Sequence, residues 1–146
     1  MVALDASEAA HEALSVALEL ALVGRAQIGI CSVVDPVTVA GTAPPSPAMD
    51  ILIRDVEIEA RRLVNEAADR ARKADIKADV EVSYGMPVDV LLEYAERFKA
   101  DLIVMGTHGR RGLQHLLMGS VAEGVLRESK VPVLVLRAAR PQTMAA

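Results

Sequence analysis

The chain has 146 residues, 52% of them apolar but only 2% aromatic, with no Trp; that is the size of one domain, with a core built from Val, Ile, Leu and Ala. A formal net charge of -4 excludes the basic footprint on which non-specific nucleic-acid binding depends. The single cysteine, Cys31, excludes an intramolecular disulfide and a Cys-rich metal site, and reads as a small buried hydrophobe.

Met1-Val2-Ala3-Leu4-Asp5 reaches a carboxylate at once, unlike a signal peptide. No stretch approaches the ~20 apolar residues of a membrane helix. A cytoplasmic chain with no membrane or nucleic-acid partner is therefore expected.

Val2-Ala3-Leu4 reads as a short strand, and Ser7 as the cap of a helix whose Ala10, Ala13, Leu14, Ala17, Leu18, Ala21 and Leu22 share one face. Gly24 is expected to stop that helix. Gln27 to Val34 reads as a second strand, rich in β-branched residues. From Asp35 to Pro47 the chain is rich in Pro, Gly and Thr and is expected to be an exposed, mobile loop. Ser46-Pro47 then opens a long helix reaching Ala74, with Leu52, Val56, Ala60, Leu63, Ala67 and Ala71 inward and Arg61, Arg62, Glu66, Arg70 and Lys73 outward.

Ala78 to Tyr84 alternates apolar and polar residues, as a half-covered strand does. Gly85-Met86-Pro87 leads into a helix with Val88, Leu91, Leu92, Ala95 and Phe98 on one side. Leu102-Ile103-Val104-Met105 is a continuous apolar run and so a central strand covered on both faces. A glycine-rich loop follows, then a short helix from about Ser120 to Glu128. Val131 to Leu136 is the last strand, and 138–146 reads as a frayed tail.

Strands alternating with helices imply one α/β domain over 1–146: a parallel sheet with helices on both faces. Such sheets take ligands beyond the strand C-termini, where strand order reverses. That directs attention to Asp5, to Val33–Asp35 and to Gly106 onward.

The chemistry-bearing stretch is Gly106-Thr107-His108-Gly109-Arg110-Arg111-Gly112, running on to Met118-Gly119-Ser120-Val121. Glycines let backbone N–H groups approach an anion without a Cβ in the way. A helix start adds unpaired donors and partial positive charge. Ser120 can add its hydroxyl, or else merely cap its helix. Arg110 and Arg111 suit phosphate, though they also suit solvent. His108 reads as a loop donor rather than a base. Neither the Gly-Lys-Ser/Thr of a P-loop nor the glycines of a dinucleotide fingerprint occur.

Gly106-Thr107-His108-Gly109, nine residues, then Gly119-Ser120 resembles the G-x-x-G-x9-G-[ST] signature of the ATP-binding branch of the universal stress protein family. Asp101–Met105 is similar to that family's fourth strand, Val131–Val135 to its fifth and Ala3–Ser7 to its first strand and turn, so the likeness spans Val2 to Leu136. The chain begins closer to Asp5 than many members do, so a short first strand is expected.

The resemblance implies an open five-stranded parallel sheet, order 3-2-1-4-5, of the adenine nucleotide alpha hydrolase-like kind. It implies that Asp5 holds the ribose or orders the phosphate side, and that Ala3 and Leu4 present backbone groups to adenine. Val33 and Met105 would pack on the base. Gly106, Gly109, Gly119, Ser120 and Val121 would surround the phosphates of ATP, AMP or ADP, with His108 and Arg110 as further candidates from their place in the loop. Mg²⁺ would meet Asp5 through water if at all, Asp5 otherwise being a plain turn former. The last strand would pair with its twin in a homodimer. The function implied is a nucleotide-dependent sensor or switch in stress response. A slow ATPase or autophosphorylating protein (Ser120, Ser7 or His108 as acceptor) and a ligand-free interaction module stand as alternatives.

Overall fold

A computed structural model describes residues 1–41, 46–107 and 118–138. Five strands form one parallel sheet in the order β3-β2-β1-β4-β5: β1 (Val2–Ala3), β2 (Ile28–Val34), β3 (Ala78–Tyr84), β4 (Ile103–Gly106) and β5 (Val133–Leu136). All four pairings are parallel, as crossover helices require. The helices are α1 (Glu8–Gly24), α2 (Pro36–Ala40), α3 (Pro47–Lys73), α4 (Pro87–Phe98) and α5 (Ser120–Glu128). The expected strand order is the observed one.

Side chains alternate across the sheet, so two cores form. Val2, Leu4, Ile28, Ile30 and Val104 pack against α1 and α3, using Ala13, Leu14, Leu63, Val64, Ala67 and Ala71. Cys31, Ile103 and Met105 pack on the other face against α4 and α5, using Leu91, Tyr94, Ala122 and Val125.

Strand β1 is short as expected, with two residues, and Leu4 N–H still reaches the Cys31 carbonyl at 2.8 Å. Other expectations change. Strand β4 begins after Leu102, and β5 starts at Val133 because Pro132 has no N–H to give a ladder. Helix α1 does end at Gly24, its last helical residue, but it is Arg25 that takes the left-handed conformation, φ 49°, that turns the chain out. Asp75 and Lys99 do the same after α3 and α4, at φ 56° and 55°. A side chain in that conformation is strained where glycine is not. Arg25→Gly is therefore expected to stabilise the fold by about 0.5–1 kcal/mol, seen as a higher urea midpoint with unchanged slope.

The Asp35–Pro47 stretch is not all loop. The Asp35 carboxylate accepts from the Val37 and Thr38 N–H groups at 3.0 and 3.2 Å and caps α2, with Pro36 in its first turn. Ser46 caps α3 as expected, accepting from Met49 N–H at 3.3 Å. That helix is 27 residues long, about 40 Å, whereas β2 and β3 have seven residues each, about 23 Å. Its buried residues run from Ala60 to Ala71. Leu52, expected inward, is 46% exposed because no strand lies beneath that part of the helix. Residues 139–146, most of the expected tail, lie outside the described residues.

Candidate functional site at the strand C-termini

Strand order reverses between β1 and β4, where the chain leaves the middle of the sheet for opposite faces. Ala3 pairs with Cys31 and Val2 with Val104. Continued by two residues, that register puts Asp5 level with Val33 on the rim beside Gly106 and Thr107. Ala3, Val33 and Val121 all pack on the α4/α5 core, together with Met105, Val88 and Met118. Of these the Met105 side chain is buried at 5% exposure, whereas Val33 and Val121 are half-buried. Leu4 is turned into the α1/α3 core and offers a ligand only its backbone. The structure thus brings Ala3, Leu4, Asp5, Val33, Met105, Gly106, Gly119, Ser120 and Val121 to one end of the sheet. His108, Gly109 and Arg110 lie outside the described residues.

Of the helices that begin at this end, α1 and α5 flank the point where strand order reverses, and their starts differ. At α1, Ser7 Oγ accepts from Ala10 N–H at 3.2 Å and donates to Asp5 Oδ1 at 2.5 Å, while Ser7 N–H donates to the same oxygen at 3.0 Å. A capping hydroxyl and an acidic residue already answer that helix's positive end. At α5 the cap position belongs to Gly119, extended at φ -81° and ψ 155°, which brings no side-chain acceptor. Ser120 is the first helical residue and is exposed, so it does not cap α5. The first α5 bond inside the helix runs from Glu123 N–H to the Gly119 carbonyl, 3.0 Å. The N–H groups of Ser120, Val121 and Ala122 therefore have no acceptor within the helix, and such a start favours an anion.

Strand ends hold this helix start in place. Thr107 N–H donates to the Leu136 carbonyl at 2.7 Å, and the Thr107 carbonyl accepts from Gly119 N–H at 2.7 Å. Gly106 lacks a Cβ for a packing reason that sequence reading missed. A Cβ there would lie 2.8 Å from Ala9 Cβ and 2.9 Å from the Ala10 nitrogen, so α1's first turn rests directly on the end of β4. Two shallow concavities near Gln27 and Lys77 lie at the opposite end of the sheet and share no residue with this crevice.

Cys31, in the middle of β2, is fully buried. Burial first, then the Glu81 carboxylate, pushes its thiol up from the ordinary 9.0 to about 12, with Arg97 opposing. The folded thiol keeps a proton that the unfolded chain gives up above pH 9.0, so Cys31 costs stability as pH rises from 9.0 towards about 12. Cys31→Ala is expected to flatten that alkaline loss in unfolding curves. A thiol reagent at pH 8 should label wild type only once it unfolds.

The model of the universal stress protein family matches residues 1–137. Universal stress protein MJ0531 of Methanocaldococcus jannaschii is 33% identical over 133 residues, 91% of this chain and 78% of that protein. Among solved structures, MJ0577 superposes with a TM-score of 0.81 at 24% identity, covering 95% of this chain and 96% of that one; at that identity the likeness speaks for the fold. A universal stress protein in complex with cAMP superposes with a TM-score of 0.64 at 29% identity, covering 94% of each chain. On the strength of the match over residues 1–137 and of the relative at 33% identity, this chain belongs to the universal stress protein family.

Proposed function

We propose that this protein binds an adenine nucleotide, ATP foremost, in the crevice between Asp5, Val33 and the start of α5, and acts as a nucleotide-dependent sensor or switch. The observation that carries the reading is the contrast between the two helix starts: α1 is capped by Ser7 and flanked by Asp5, whereas α5 opens on Gly119 with an exposed Ser120. A phosphate chain belongs at the second. The base belongs on the half-buried apolar strip of Ala3, Val33 and Val121, floored by Met105. By the glycine motif, Gly109, His108 and Arg110 would complete the phosphate side, and Mg²⁺ would accompany the phosphates. A relative's complex with cAMP lends weight to the adenine part.

Calorimetric titration with ATP and Mg²⁺ tests this. Saturable heat is expected with wild type, a several-fold weaker affinity with Ser120→Ala, and none with Gly109→Val while its melting curve stays cooperative. No heat at millimolar ATP in wild type would reject the reading. The exposed Ser120 hydroxyl favours one variation, slow self-phosphorylation. Radiolabel from ATP would appear on wild type and vanish with Ser120→Ala.

Among the described residues β5 is an edge strand; its residues Val133 to Leu136 are all apolar and Leu134 is 36% exposed, which supports pairing with a second copy. Light scattering after size exclusion should give a dimer mass at micromolar concentration, and a monomer mass would count against it.

A further inference from the structure

We propose that Tyr84 is a phosphorylation site, an exposed phenol at the end of β3 whose phosphate is held by Arg54 and Arg61 of α3. The proposal goes beyond the nucleotide reading and does not depend on it. Tyr84 is the last residue of β3, an edge strand among the described residues, and is 47% exposed. Its hydroxyl donates to Glu57 Oε2, while Glu57 Oε1 accepts from Arg61 Nη2 at 2.7 Å and Nε at 2.8 Å. Positions 54, 57 and 61 are spaced i, i+3 and i+7, so they share one flank of α3. The charges that act on the phenol are the Glu57 carboxylate and, opposing it, the Arg61 and Arg54 guanidinium groups. Arg54 is exposed and has no ion pair among the described residues.

The phenol is free to react because what holds it is an exposed hydrogen bond that water can replace. Its oxygen attacks the γ-phosphorus of a nucleoside triphosphate carried by a separate tyrosine kinase. An O–P bond forms, the bond from that phosphorus to the β,γ-bridging oxygen breaks, and a nucleoside diphosphate leaves. The phenol proton passes to the kinase's catalytic carboxylate. The phosphate then brings about two negative charges and three acceptor oxygens. It repels Glu57 and takes over both guanidinium groups, whose forked N–H donors suit phosphate. A tie between β3 and α3 that rests on a surface ion pair, and so contributes little, becomes one made by two cations on a doubly charged group. It acts on the part of α3 ahead of Ala60, where no side chain is buried. The chain's other tyrosine, Tyr94, is closed to this chemistry: it is 1% exposed and its hydroxyl donates to the Asp79 carboxylate.

The test uses a tyrosine kinase selected because it labels a peptide of residues 79–89, applied with radiolabelled ATP to the folded chain. Label is expected on wild type and none on Tyr84→Phe, which still carries Tyr94. Phosphorus NMR of the labelled protein follows the second ionisation of the phosphate, whose midpoint should fall to about 5.5 or lower, against about 6 in the phosphorylated peptide. Arg54→Gln and Arg61→Gln should each move it back, and the double variant should restore the peptide value. Amide exchange over residues 47–59 should slow on phosphorylation. A folded wild type that takes no label where the peptide does would overturn the proposal. So would a phosphate that titrates as in the peptide or ignores both arginine substitutions, which would leave Tyr84 merely exposed, or exchange over 47–59 that is unchanged or faster.

Discussion

Replacing Tyr94 with alanine is expected to destabilise the fold by about 3–5 kcal/mol, and at roughly 2–4 °C per kcal/mol to lower the melting temperature by about 10 °C. Tyr94 is the largest of the fully buried side chains, at 1% exposure. Its ring stacks on Phe98 with centroids 5.8 Å apart and planes 16° from parallel. The hydroxyl sits over Gly29, 2.8 Å from where a Cβ would be, and donates to Asp79 Oδ2 at 2.9 Å. Above the ring, the Arg97 guanidinium lies 5.6 Å from its centroid and makes two bonds to Glu81, at 2.7 and 2.9 Å. Alanine would thus empty the space between β2 and α4 and release the cation that ties α4 to β3. With aromatics at 2% of the chain, little nearby is large enough to fill the hole. Tyr94→Phe separates the parts. It keeps the ring and loses one hydrogen bond to an exposed carboxylate, so about 1 kcal/mol is expected. Equal losses for the two variants in urea unfolding would show that packing is not what Tyr94 contributes.

Gly106→Val is the second large effect, and it joins stability to binding. Even the first carbon of a side chain at 106 would stand 2.8–2.9 Å from Ala9 Cβ, the Ala9 carbonyl carbon and the Ala10 nitrogen. Backbone atoms of a helix cannot swing aside as a side-chain tip can, so α1 must lift from β4. Overpacking of this kind costs about 1–3 kcal/mol, and valine belongs at the upper end. The turn that lifts also contains Ser7 and leads back to Asp5, bound at 2.5 Å. Nucleotide affinity should therefore fall by more than tenfold in molecules that remain folded at 15 °C. Gly106→Ala should show the same two effects in smaller measure. A Gly106→Val protein that melts like wild type would remove the packing argument.

Much of this fold was legible because periodicity changes cleanly along the chain. Ala78–Tyr84 alternates and forms β3 with those bounds, and Ser120–Glu128 forms α5 as expected. What misled was punctuation. Helix α1 ends at Gly24 as read, but the left-handed turn falls on Arg25 and not on the glycine, because that conformation is cheap enough for one polar residue at a helix end. The proline-rich stretch after Asp35 hid a five-residue helix, since Pro36 is as much at home in a first turn as in a loop. At the site, spacing located Gly119 and Ser120 but not their division of labour, with glycine as cap and serine as first helical residue. The glycine at 106 was assigned to a ligand by motif, while its contact with Ala9 and Ala10 is a long-range fact with no local trace. Tyr94 went unremarked because a lone tyrosine among apolar helix positions carries no pattern that tells a buried ring from an exposed one.

The mismatch between the 27 residues of α3 and the seven of its neighbouring strands divides that helix into parts of unequal persistence. From Ala60 onward its inward side chains are locked against the sheet, and its amides exchange with solvent only when the whole domain unfolds. Ahead of Ala60 the turns are held by their own backbone bonds, the Ser46 cap, contact with α2 and one exposed bond from the Tyr84 hydroxyl to Glu57, with no buried side chains, so they open at far smaller cost. Native-state deuterium uptake would therefore read α3 as two helices joined end to end, with the short-lived one on the same side of the molecule as the crevice.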